Sequence, residues 1–290
     1  MKLTKMRIKY TTTAPVSHIG ETASIGSYFQ TIKTASGRLP VITGNSVRGI
    51  LRDCGAKILL DTLAAKVGKE EFNVLFSGGN LNGTTKNDVG KAKTVREKIP
   101  FISLFGGGLG DMIMSGKMSV GMLYPLTLET YEMLGEEYTD ISWKHLIDEI
   151  EFTRTDDGKE DVLADYMINP EEEKTAKAST QMRFSVQYLA RGTVFVQDIY
   201  FAENTTDIEY GAFFAALKKW FERPILGGMS AKGFGTFDAV CDAGISVKNG
   251  VVTADEEIVT TINQYIDYIG QQGTDVLQLL SSGGKKNGKA

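Results

Sequence analysis

Two hydrophobic periods follow one another along this chain in a fixed order, and that order limits its possible folds more than any other feature. Lys5, Arg7 and Lys9 alternate with Met6, Ile8 and Tyr10, which predicts a half-buried strand over 5–12. Val47, Ile50, Leu51, Cys54 and Ile58 then recur at helical spacing, with Asn45 or Ser46 placed to cap the helix. Residues 117–124 read as a strand that ends at Pro125. Residues 182–188 alternate cleanly, and residues 193–201 form another strand after a turn at Arg191-Gly192. Phe213, Leu217, Trp220 and Phe221 stripe a second helix that stops before Pro224. A last strand is expected over 234–240 and a further helix over 256–269.

The core order is strand, helix, strand, strand, helix, strand. This is the split βαβ order of ferredoxin-like folds, shared by RNA-recognition modules, so the expected class is α+β. Long insertions interrupt it at about 15–40, 70–100 and 126–181, beyond the usual length of a connection. Residues 18–37 are rich in Gly, Ser and Thr and read as a loop. Residues 78–98 carry Lys86, Lys91, Lys93, Arg96 and Lys98 and read as a mobile loop. With neither an internal repeat nor a break in composition, one domain is expected over 1–280, followed by a flexible Gly/Lys/Asn tail over 281–290. No apolar run reaches the eighteen or so residues that span a bilayer, and residues 1–7 lack the apolar stretch of a secretory signal. Cys54 and Cys241 are the two cysteines, too few for a disulfide framework, so a reduced, cytoplasmic setting is expected.

The net charge of −4 conceals a segregation. Residues 1–128 hold 17 Lys/Arg against 8 Asp/Glu, and residues 129–173 hold 3 against 16. A basic half beside an acidic segment fits a nucleic-acid surface and a self-association surface; two solvated faces explain the same numbers. The most informative segment runs from Gly44 through Asn45, Ser46, Val47, Arg48 and Gly49 to Arg52. A helix start leaves backbone N–H groups unpaired and favours an anion. Arg48, Arg52 and Gly55 share one helix face, and Gly49 removes bulk where a ligand backbone would approach. These features read as a phosphate cradle or, more blandly, as a capped surface helix with two solvated arginines.

Residues 226–235 contain Gly227, Gly228, Gly233 and Gly235 with Ser230 and Lys232, a turn able to aim amides and a point charge at an anion. The segment fits neither a Walker loop nor G-x-G-x-x-G, and Thr236 breaks its RNP1-like beginning. A third glycine cluster, residues 105–111, reads as a flexible connection. Catalytic sets are scarce. His18 and His145 are the two histidines, no His/Cys/carboxylate spacing suits zinc, and Asp156-Asp157 read as solvated acids. No catalytic residue, metal or cofactor is expected.

Gly44-Asn45-Ser46-Val47-Arg48-Gly49 with Arg52 resembles the Gly-x-Ser-Leu-Lys/Arg-Gly signature of the CRISPR-associated RAMP superfamily. The Gly227–Gly235 turn is similar to the glycine-rich loop of those proteins. Leu104-Phe105-Gly106 leading to Gly116-Lys117-Met118 is similar to their mid-chain motif, and Thr153-Arg154-Thr155-Asp156-Asp157 resembles a segment ahead of their thumb. Within the superfamily the chain looks most like the backbone subunits of the seventh Cas family. The resemblance implies an RRM-like palm with fingers and a thumb, and copies stacked head-to-tail along a guide RNA (crRNA) within an effector complex of further subunits. The guide would pair with target DNA or RNA. Asn45, Ser46, Arg48, Arg52, Gly227, Gly228, Ser230, Lys232, His18 and Arg154 would contact RNA. Residues between Asp157 and about Gln181 would supply the thumb, and Met182 either wedges against displaced bases or packs in the core. Target-cutting relatives carry an aspartate some fourteen residues after the motif found here as Ser17-His18-Ile19-Gly20. Ile32 and Lys33 occupy that place, so a non-cutting relative of type IV or type I is implied. The rival readings are a guide-processing ribonuclease using His18 as acid or base, and a small-molecule enzyme on the same architecture.

Overall fold

The computed structural model describes residues 2–22, 26–35, 37–79, 89–109, 112–154 and 182–281. Strand β1 (Lys5–Thr12) buries Met6, Ile8 and Tyr10 and exposes Lys5 and Lys9, as its alternation requires. The loop expected over 18–37 is instead two hairpins, β2 (Ile19–Thr22) with β3 (Gly26–Phe29) and β4 (Thr31–Thr34) with β5 (Gly37–Pro40). Strands this short and this polar carry too few apolar positions to show a period.

Helix α1 (Gly44–Thr62) is capped by neither Asn45 nor Ser46. Thr43 is the cap, its hydroxyl accepting the Ser46 N–H at 3.4 Å. Gly44 is glycine for a steric reason: a Cβ there would lie 2.1 Å from the Val120 carbonyl oxygen. After α2 (Lys69–Phe72) and a π-turn over Asn73–Ser77, the chain enters α3 (Val89–Lys98) and α4 (Pro100–Phe105). The second half of the lysine-rich stretch is therefore helix, because Ala92, Val95 and Ile99 supply a buried stripe. Residues 80–88 lie outside the described residues.

Strands β6 (Gly107–Leu109) and β7 (Met112–Met114) pair with each other, so the third glycine cluster opens a hairpin rather than a free connection. The strand expected over 117–124 is split into β8 (Met118–Val120) and β9 (Tyr124–Pro125). The break falls at Gly121, where a Cβ would come within 2.6 Å of the Asp198 carbonyl oxygen. Helix α5 (Tyr131–Leu134) is followed by β10 (Ile147–Arg154), β11 (Met182–Leu189) and β12 (Val194–Phe201). Helix α6 (Asp207–Phe221) begins with a Thr206/Glu209 capping box. Strand β13 (Phe237–Cys241) is not the last, since β14 (Ile245–Lys248) and β15 (Val251–Ala254) extend the sheet. Helix α7 (Glu256–Ser281) outruns the expected 256–269, and residues 282–290 lie outside the described residues.

The main sheet is antiparallel in the order β15-β14-β13-β1-β12-β8, with β9 also on β12. Helix α1 lies between β1 and β8 in the chain, and α6 between β12 and β13. The four strands β13-β1-β12-β8 are thus two interlocked split βαβ units, in the order the sequence predicts. Tyr10, Trp220 and Phe237 pack ring to ring between sheet and helices, with centroids 5.2 to 5.8 Å apart. The buried Tyr10 hydroxyl donates to Gln197, which in turn donates to the Gly121 carbonyl, so no polar group of this contact is left unpaired. Strand β11 enters a second sheet, β10-β11-β3-β2, in which β11 and β3 are parallel.

Candidate functional site

Helix α1 carries Arg48 and Arg52 one turn apart, and the structure occupies them differently. The last carbonyls of α4 have no partners within that helix, and a helix C-terminus favours a cation. Arg52 Nη2 donates to the Phe105 and Gly106 carbonyls at 2.7 and 3.0 Å, and Nη1 reaches Val74 O at 3.4 Å. The Arg52 residue is 7% exposed. Burial, then the neighbouring Arg48 charge, lower its pKa to about 10, so the guanidinium stays charged at neutral pH. The two arginines therefore do not share an open face. The Arg52 side continues into buried Gly55 and Leu59, and a Cβ on Gly55 would meet the Phe101 ring at 2.7 Å.

Arg48 also donates to the Phe105 carbonyl, but it is half-buried and its Nε, shielded from solvent, has no hydrogen-bond partner. It lines a cleft of about 540 Å³ together with Asn45, Gly49 and Arg52. The opposite wall is apolar at Phe76, Ile113 and Met114 and is otherwise glycine and serine, from Ser77, Gly78, Gly79, Gly107, Gly108, Ser115 and Gly116. Asn45 and Gly49 are exposed, and no atom stands within 4 Å of a Cβ built on Gly49. The wall is tight where backbone meets backbone: at Gly79, with φ +90°, a Cβ would lie 2.2 Å from Gly108 O. No carboxylate is among the described lining residues. Backbone, hydroxyls, an amide and a cation are the groups that hold an anionic chain.

The glycine turn over 227–235 sits elsewhere. Gly228 N–H donates to Ser17 O at 2.7 Å, and Gly227, at φ +76°, leaves room for that oxygen, which a Cβ would approach to 2.3 Å. Beside Ser17, His18 accepts the Thr43 N–H on Nε2 at 3.3 Å. A nitrogen that accepts is unprotonated, and burial lowers the ring's pKa from its ordinary value. Residues 16–18 thus strap the start of α1 to the late glycine turn. Ser230 and Lys232 occupy an exposed turn, and the Lys232 ammonium lies 4.0 and 4.1 Å from the ring centroids of Phe152 and Phe184.

The expected site residues fall into two groups. Asn45, Arg48 and Arg52 line the cleft with the mid-chain glycines, while Gly227 and Gly228 pack on Ser17, Ser230 is exposed, and Lys232 lies over Phe152 and Phe184 of the second sheet. His18 and Thr43 join them, and the cleft at Arg48 has no residue of 227–235 among its described lining residues. Sequence reading missed the contribution of 106–108 and 113–116 to the first group; its signal was the small Gly55-Ala56 pair one turn beyond Arg52, which marks a packed helix face rather than a solvated one. Arg154 ends β10 opposite Met182. Residues 155–181, which contain Asp156-Asp157 and the expected thumb, lie outside the described residues. Among the described residues no group of three or more His, Cys, Asp or Glu could hold a metal ion, and no helix is long and apolar enough to cross a membrane.

The family model of the RAMP superfamily matches residues 9–238. A chain of a Type IV-B CRISPR complex is similar over 90% of this chain and 98% of its own, with a TM-score of 0.59 and 19% identity. A chain from the cryo-EM structure of Type III-B Cmr-beta bound to cognate target RNA is similar over 87% of this chain and 61% of its own, with a TM-score of 0.44 and 15% identity. No curated protein matches. At 19% identity the likeness to the Type IV-B chain is one of fold.

Proposed function

The chain belongs to the RAMP superfamily, and on that footing we propose that it is the guide-RNA-binding backbone subunit of a CRISPR effector ribonucleoprotein. Copies line up along the crRNA, together with other effector subunits, and present it for pairing with target nucleic acid. The interlocked βαβ units are the RRM-like palm, and the insertions serve as fingers and thumb. The Type IV-B chain, which this chain matches in fold along nearly all of its length, supports that setting.

One observation carries the proposal: a glycine-walled cleft at the start of α1 offers Asn45, Arg48 and open space at Gly49, with no carboxylate among its described lining residues. Such a surface grips phosphates irrespective of sequence, and guide–target pairing supplies the specificity. The subunit does not cut. His18 Nε2 already accepts the Thr43 N–H, which supports a positioning role over acid–base work. Ile32 and Lys33 stand in β4 where target-cutting relatives carry an aspartate.

Protein purified from cells that express a CRISPR array tests this reading. The expected product carries RNA of defined length in particles many times the 31.7 kDa of one chain. Protein that emerges as an RNA-free single copy contradicts it. So does cleavage of bound RNA that is abolished by His18→Ala.

A further inference from the structure

Residues 128–141 form a loop that closes on itself and stands out from the main sheet. Its ends meet where the Leu128 N–H donates to Ile141 O at 2.8 Å, and inside it the rings of Tyr131 and Tyr138 pack edge to face at 5.3 Å. The base is fixed by buried Thr127 and Thr130, which bond to each other, and the Thr130 hydroxyl donates to Pro125 O. Glu129 is held by Ser142 and the Trp143 N–H. Glu136 pins the loop to the open face of β1 through Arg7 and Lys9, and Arg7 also donates to Leu134 O. The loop is therefore ordered before any partner arrives, which reduces the entropy lost on docking.

What this ordered loop presents is apolar and acidic. Leu128, Met133, Tyr138 and Ile141 are 43% to 68% exposed, a concentration of large apolar side chains that a solvated loop does not need. Glu132, Glu137 and Asp140 are exposed among them. A surface of the opposite character lies on the helical side: a cleft of about 730 Å³ between α3, β7 and the start of α6. Its walls include Pro100, Ile113, Met114 and Ile208; of its charges, Lys93 pairs with Glu97 at 3.8 Å and Lys117 with Glu209 at 2.8 Å, which leaves a net positive charge at Arg96. Ile113 is 74% exposed there. Apolar walls with a net positive charge match apolar tips among exposed acids.

We infer that the 128–141 loop of one copy docks into the α3–β7 cleft of the next. The partner is a second copy of this chain because the charge segregation is internal to it: the basic residues concentrate before residue 128 and the acidic ones directly after. The two surfaces are different patches, so the contact is heterologous and propagates as an open array rather than closing into a dimer. The inference rests on the backbone reading above and names the protein surface that it requires.

Charge reversal tests it in the full chain. Glu132→Lys with Glu137→Lys reverses the loop, Lys93→Glu with Arg96→Glu reverses the cleft, and the quadruple variant restores complementarity. Particle mass is followed on a long single-stranded RNA, and affinity on an RNA short enough for one copy. Each double variant is expected to raise the concentration needed for assembly about tenfold, and the quadruple to return it near the wild-type value. Assembly by wild type and both double variants at the same concentration overturns the docking while leaving the backbone reading intact. Wild type that stays single-copy on long RNA overturns both. Weaker binding of the short RNA by the cleft variant makes the cleft a nucleic-acid surface and also overturns the docking.

Discussion

The two glycine turns that the sequence sets beside the helix α1 motif do opposite work. The mid-chain turn, Gly106 to Gly108, gives the Gly106 carbonyl to Arg52 of α1 and its backbone to the wall of an open cleft. The late turn, Gly227 to Gly235, is packed: Ser17 fills the space above Gly227, and Lys232 lies across two phenylalanine rings. Glycine at both serves close backbone approach, since a Cβ on Gly106 would lie 2.5 Å from Met114 O, but the wall so built at the first faces a cleft, whereas the second closes on Ser17. The same contrast separates the arginines, with Arg52 spent on α4 and Arg48 at the cleft.

Substitutions at the packed and buried positions should therefore act on stability, in decreasing size. Gly227→Ala must accept both a left-handed backbone and a Cβ 2.3 Å from Ser17 O, and should cost about 4 kcal/mol in a denaturant titration. A loss below about 1 kcal/mol would mean that the strap is loose and the late turn free to take a ligand. Arg52→Met keeps the volume but leaves the Gly106 and Val74 carbonyls without their Arg52 donor and the Phe105 carbonyl with Arg48 alone. About 3 kcal/mol should be lost, and an unchanged midpoint would return Arg52 to the open cleft as a ligand contact. The His18 effect is smaller and depends on pH. Its folded-state pKa lies below the ordinary 6.5, so the unfolded chain takes up the proton first as pH falls. Stability is then at full value above about pH 6.5 and is lost as pH falls through the folded-state pKa. His18→Gln should flatten that decline between about pH 8 and pH 5; an unaltered decline would place the titration elsewhere.

The parts legible in the sequence are those where one face is buried and the segment is long. Strand β1, with Met6, Ile8 and Tyr10 inward, and helix α6, with Phe213, Leu217 and Trp220, announce themselves by period alone. Where pattern and packing disagree, the reading fails. Gly121 interrupts a strand because a neighbouring backbone comes close, and β14 and β15 are four residues each, too short to show a period. Arg48 and Arg52 were found as a pair at the correct helix end. Their different fates were not, because burial of a guanidinium is decided by α4, a helix fifty residues further along the chain whose C-terminal carbonyls need a cation. The link between His18 and Thr43 is likewise a contact between distant segments with no local signature.

The claim that everything else depends on is that Arg48 meets phosphate at the cleft while Lys232 and Arg52 are engaged within the protein. The salt dependence of binding to a short single-stranded RNA tests it most directly. Arg48→Gln should lower the slope of log affinity against log salt concentration by about 0.7, the value of one phosphate contact on a single strand, with the unfolding midpoint preserved. An undiminished slope for Arg48→Gln, alongside a diminished one for Lys232→Gln, would move the interface to the late turn and contradict the account.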